Sequence, residues 1–79
     1  MKVKLKLARI GMNMEEATIV KWLRQPGESF VEGDGLYEME TEKVTQEVQA
    51  TGSGRMLEIL VPEGEDAAVG DTVCIVETD

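Results

Sequence analysis

Residues 18–42 read TIVKWLRQPGESFVEGDGLYEMETE, and residues 55–79 read RMLEILVPEGEDAAVGDTVCIVETD. The two stretches align without a gap at an offset of 37 residues, the separation of Gly27 and Gly64. Leu23 falls on Leu60, Gly27-Glu28 on Gly64-Glu65, Gly33-Asp34 on Gly70-Asp71 and Glu40-Thr41 on Glu77-Thr78. Ile19 with Met56, Leu36 with Val73, Met39 with Val76 and Glu42 with Asp79 keep their chemical character. Two copies are too few for a solenoid. They predict two sheets related by a quasi-two-fold axis, since neither copy alone can bury its apolar face.

Working outward, each copy breaks into short β-rich runs between turn signals. Residues 17–24 are rich in β-branched and aromatic side chains, which fit a pleated surface. Pro26-Gly27 and Gly33-Asp34-Gly35 are turns, with glycine available for positive φ. Strands are expected over 29–31, 36–41, 44–50, 55–61 and 72–78. Near the start, Val3, Leu5 and Leu7 alternate with Lys2, Lys4 and Lys6, the period of a strand with one apolar face. Lysine there also protects a sheet edge. Residues 10–16 lose the alternation and read as a loop. A helix over 12–24 is the one rival. Seven or eight short strands predict an all-β fold, a flattened barrel or sandwich of two antiparallel sheets.

The bulk numbers narrow the function. A chain of 79 residues makes one small domain, 1–79, burying about 60–65% of its unfolded surface, with little room for a deep substrate cavity. Its only aromatics are Trp22, Phe30 and Tyr37, so an aliphatic core is expected. The net charge of −8 argues against nucleic acid and against an anionic membrane surface, both of which need cationic side chains. Cys74 is the only cysteine and lies in an apolar run, so it reads as a small buried hydrophobe. No signal, transit or membrane-spanning segment is legible; a cytoplasmic protein is expected, and an ending at the last strand suggests an excised domain.

Most lysines are solvated surface charges. Lys43 stands apart because it falls at the boundary of the repeat and is the only lysine after Lys21. The unit ends at Glu42, so a turn is expected at Glu42-Lys43, even though the Asn-Gly or Asp-Gly of a primed hairpin turn is missing. A type I turn accepts Glu-Lys. The flanking glutamates favour the ammonium form and so disfavour a nucleophilic lysine. The residue reads as an attachment point. The offset maps it just beyond Asp79, so a two-fold axis should set lysine and terminus at opposite ends of the domain.

Glu40-Thr41-Glu42-Lys43-Val44 resembles the lipoyl-attachment motif of lipoyl domains, usually Glu-Thr-Asp-Lys-Ala. Gly11-Met12-Asn13-Met14-Glu15-Glu16-Ala17-Thr18-Ile19-Val20-Lys21-Trp22-Leu23 resembles the first loop and second strand of the lipoyl domains of dihydrolipoyl acyltransferases. Gly27 and Gly54 match the family's turn glycines. Glu42 for Asp, Val44 for Ala, Ala17 for Gly and Ala8 for Pro are departures that remove no needed chemical group.

The resemblance implies a non-catalytic carrier. Lipoic acid would be joined as an amide to Lys43, by a lipoate ligase or by an octanoyltransferase followed by lipoyl synthase. The arm would meet a thiamine-diphosphate dehydrogenase or decarboxylase component, an acyltransferase core and a dihydrolipoamide dehydrogenase. Glu40, Thr41, Glu42 and Val44, with Gly11, Met12, Asn13, Met14 and Glu15 in the loop, are the implied recognition residues. No metal is implied. The loop is more like those of pyruvate or acetoin systems than of 2-oxoglutarate ones. The alternatives are a biotin carrier domain of a carboxylase, which resembles Ala-Met-Lys-Met around its lysine, a glycine-cleavage carrier protein, and an unmodified β-sandwich binding module.

Overall fold

The computed structural model describes residues 1–7, 15–42 and 44–78. Its strands are β1 (Lys2–Lys6), β2 (Glu16–Trp22), β3 (Ser29–Phe30), β4 (Gly35–Glu40), β5 (Thr45–Gln49), β6 (Gly54–Ile59), β7 (Asp66–Ala68) and β8 (Thr72–Glu77). They form two four-stranded sheets, ordered β1-β8-β6-β3 and β5-β4-β2-β7. Every pairing is antiparallel. The fold is an all-β sandwich, and residues 16–22 are strand, not the helix that was the rival reading.

The repeat governs the topology. Replacing β2, β3, β4 and β5 by β6, β7, β8 and β1, and β7 by β3, turns one strand order into the other. Registers follow the same rule. Thr18↔Glu40 and Trp22↔Tyr37 in one sheet match Arg55↔Glu77 and Ile59↔Cys74 in the other. The bulge between Ile19 and Lys21 has its twin between Met56 and Glu58. The short strands β3 and β7 are exchanged: each copy lends one to the opposite sheet.

Turn chemistry repeats too. Gly27, Gly33, Gly64 and Gly70 have φ of 94°, 92°, 87° and 99°, left-handed values that disfavour a side chain. Val31 donates its N–H to the Asp34 carboxylate at 3.0 Å, as Ala68 does to Asp71 at 2.9 Å. That bond, and then Arg24 at 3.3 Å, hold the Asp34 pKa below its ordinary value.

Between the sheets lie Leu7, Ala17, Ile19, Trp22, Phe30, Leu36, Tyr37, Met39, Ala50, Met56, Ala67, Val73, Cys74 and Val76. An aliphatic core was expected, yet all three aromatics are in it. The Trp22 and Tyr37 rings meet tilted at 49°, with centroids 4.9 Å apart, and Trp22 Nε1 donates to the Val61 carbonyl at 2.8 Å. That partner satisfies the one polar atom of the indole, as burial requires.

Several expectations need correction. β7 was not legible as a strand, because Asp-Ala-Ala has little β propensity. Glu16 belongs to β2, not to the loop, and β2 ends at Trp22. Gly54 is no turn glycine. It opens β6 opposite Phe30, and a Cβ there would come within 2.5 Å of the Glu77 carbonyl oxygen.

Candidate functional site: the hairpin between β4 and β5

Met39↔Gln46 and Glu40↔Thr45 bring β4 and β5 together. One step further, Thr41 N–H donates to the Val44 carbonyl at 2.8 Å. The connection is therefore two residues, Glu42 and Lys43. Lys43 itself lies outside the described residues; its neighbours Glu42 and Val44 lie within them. Among the described residues no side-chain-bearing residue has positive φ, Glu42 included. Primed hairpin turns need positive φ at this first loop position, so they are excluded; the type I expectation turns on Lys43 and lies outside the described residues. Thr41 compensates with its side chain: its hydroxyl accepts from Val44 N–H at 3.2 Å and donates to the Val44 carbonyl at 3.3 Å. Glu40, Glu42 and Val44 are exposed and Thr41 is half-buried.

The repeat places the chain ends on the corresponding point of the other sheet. Thr78 N–H donates to the Met1 carbonyl at 2.8 Å, the counterpart of the Thr41–Val44 bond. The Met1 amino group returns a bond to the Thr78 carbonyl at 2.7 Å. Hydrogen bonds fix where these two points lie. Thr18 faces Glu40, so the start of β2 is at the hairpin end. There the Glu15 carbonyl accepts from Val69 N–H at 2.8 Å, just before the start of β8. Thr78 and Met1 lie beyond the far end of β8, which is six residues long, about 17–20 Å at a strand's rise. Hairpin and chain ends thus occupy opposite ends of a molecule 34 Å long.

Of the loop residues singled out in the sequence, Gly11, Met12, Asn13 and Met14 lie outside the described residues. Their flanks do not: Leu7 N–H bonds the Asp71 carbonyl and Glu15 bonds Val69, so the segment leaves and rejoins the described chain at the hairpin end. The structure thus brings Glu15 to the same end as Glu40, Thr41, Glu42 and Val44.

One feature of the site was missed. On the outer face of its sheet, Glu38 stands between Lys21 on β2 and Glu47 on β5. Glu38 and Glu47 are like charges directly opposite one another, which is unfavourable. Counting back from a two-residue loop pairs 38 with 47, so the signal was present in the hairpin itself. Cys74 takes no part: it is fully buried, and desolvation pushes its thiol up to about 12. Among the described residues no cluster of candidate metal ligands occurs, and no helix is long and apolar enough to cross a membrane.

An attached cofactor on such a hairpin needs no cavity, only an exposed side chain on a firm turn. The exposed flanks of the turn fit a group carried outside the domain.

The family model described as biotin-requiring enzyme, which covers biotin and lipoyl attachment domains, matches residues 3–76. The chain belongs to the biotin/lipoyl family. Members similar to it include the dihydrolipoyllysine-residue succinyltransferase component of the 2-oxoglutarate dehydrogenase complex of Rickettsia conorii, 41% identical over 92% of this chain. The acetyltransferase component of the pyruvate dehydrogenase complex of Zymomonas mobilis is 37% identical over 95%. The chain spans only 18% and 17% of the length of these two relatives, and by its family it is a small carrier domain. The solution structure of the lipoyl domain of the 2-oxoglutarate dehydrogenase complex from Azotobacter vinelandii superposes with a TM-score of 0.79 at 25% identity, covering 96% of both chains. A single-chain long-chain acyl-CoA carboxylase shares the fold, with a TM-score of 0.80 at 20% identity over 95% of this chain and 7% of that one.

Proposed function

We propose that residues 1–79 form one lipoyl carrier domain in which Lys43 bears lipoic acid as an amide. The domain belongs, on this reading, to a dihydrolipoyl acyltransferase of a 2-oxo acid (pyruvate-type) or acetoin dehydrogenase complex. Its partners are a lipoate ligase, or an octanoyltransferase with lipoyl synthase, then the thiamine-diphosphate component, the acyltransferase core and dihydrolipoamide dehydrogenase, in the cytoplasm. When attached, the cofactor supplies the dithiolane that carries acyl groups and electrons. The chain supplies the rest. The hairpin fixes the base of the arm. Placing the arm opposite the chain ends leaves it free to swing, and tethering raises its effective concentration at each active site.

One observation carries this reading: a Glu-Thr-Glu-Lys-Val hairpin, pinned at Thr41 and Val44, stands at the end of the sandwich opposite Met1 and Thr78. Mass spectrometry of the chain after treatment with lipoate ligase and lipoate tests it. One lipoyl group is expected on the wild type and none on Lys43→Gln, with both proteins equally folded. Modification of Lys43→Gln at Lys21, or an unmodified wild type, would defeat the assignment. Glu42 and Val44 replace the methionines expected beside a biotinylated lysine, so streptavidin should not capture the chain after treatment with a biotin ligase.

A further inference from the structure

We infer that Thr41 is a positioning residue for modification of Lys43, acting through its side-chain hydroxyl; this rests on Lys43 being the modified lysine. A two-residue loop without a primed turn does not match the twist of its flanking strands. The main chain alone closes such a hairpin poorly. Here the Thr41 hydroxyl grips both polar atoms of Val44, accepting from N–H at 3.2 Å and donating to C=O at 3.3 Å. Val44 N–H belongs to the rigid peptide plane that begins at the Lys43 carbonyl carbon. Holding that N–H anchors the residue that directly follows the lysine. Glu40 and Glu42, the other motif members before the lysine, are exposed, whereas Thr41 is half-buried. Its role is to shape the turn rather than to present a surface.

The internal repeat supplies a control. Thr78 is the counterpart of Thr41, and its hydroxyl donates to the Met1 carbonyl at 3.5 Å. It stands at the same strand end in the other sheet, at the end of the molecule opposite the hairpin. Removing that hydroxyl has the general cost of the change without the specific one.

The test compares Thr41→Val, Thr41→Ser and Thr78→Val in the 79-residue chain. Two readouts are followed: kcat/KM of lipoate ligase, and amide hydrogen exchange at Val44 in the unmodified protein. Valine keeps the shape and the β propensity and removes only the hydroxyl. Thr41→Val should lower kcat/KM roughly tenfold, the scale of a small misplacement of a reacting group, and should speed Val44 exchange. Thr41→Ser should restore both. Thr78→Val should match the wild type in both and match Thr41→Val in thermal midpoint. Equal rates for Thr41→Val and wild type would overturn the inference, as would equal losses in Thr41→Val and Thr78→Val, or a serine variant as poor as valine. If the ligase fails on the wild type, the carrier reading falls, and Val44 exchange alone then decides whether the hydroxyl holds the turn.

Discussion

Two glycines show how differently one residue type is required. Gly27 is needed for its backbone: its φ is 94°, and a Cβ would meet nothing within 4 Å. Gly54 is needed for its missing side chain, because a Cβ would press on the Glu77 carbonyl at 2.5 Å and the Phe30 ring at 3.0 Å. Its counterpart in the other sheet is Ala17, whose partner is the small Ala67 rather than Phe30. A large ring in one copy is thus balanced by a missing methyl group opposite it. Gly54→Ala should therefore cost about 1–3 kcal/mol, as overpacking does. Gly52→Ala, with open space around it, should be close to neutral. Urea unfolding of both variants checks this, and equal midpoints would show that the backbone at Gly54 can move away.

Among the elements, the β4–β5 hairpin combines a function with a defect. Its register places Glu38 against Glu47, while the equivalent pair in the other sheet is Ile75 against Lys4. Lys21 is the register partner of Glu38 on its other side. Glu47→Lys should stabilise the domain by about 0.2–1 kcal/mol, the usual range for an opposite-charge cross-strand pair. Glu47→Gln should give a smaller gain of the same sign. Thermal midpoints that do not rank lysine above glutamine above glutamate would mean that solvent already screens the pair. β7 teaches a different lesson. Asp66-Ala67-Ala68 is strand because Glu16, Ala17 and Thr18 pair with it and because Thr18 Oγ1 donates to the Asp66 carboxylate at 2.5 Å. Local propensity did not show it, although the offset from β3 pointed to those residues.

For the whole molecule, the two-fold relation makes the chain ends a hairpin without a loop. Met1 and Thr78 exchange two backbone bonds, at 2.7 and 2.8 Å, and lack only a connection. A backbone-cyclised variant in which Asn-Gly replaces Asp79 and joins Thr78 to Met1 should thus close without strain, since Asn-Gly suits a two-residue hairpin. Removing chain entropy from the unfolded state should then raise stability by about 2–4 kcal/mol, by analogy with a long-range cross-link. Its thermal midpoint, compared with that of the linear chain at equal salt, checks this. A cyclised protein no more stable than the linear one would show that the ends are strained or misplaced. Lipoylation at Lys43 should persist in it, because that turn lies at the other end.

The sequence by itself determined every strand but β7, the repeat and the break in the chain between β4 and β5. Period-two alternation marks β1, and glycines that must adopt positive φ mark the turns at 27, 33, 64 and 70. An offset of 37 residues marks the two-fold relation. These signals are local, or repeat at a fixed spacing, so they survive in a linear string. Tertiary structure alone decided the exchange of β3 and β7, the role of Gly54 and the link between Thr41 and Val44. Each of these depends on which strand lies beside which, and long-range pairing is set by burying two apolar faces against each other, not by the preference of any short stretch.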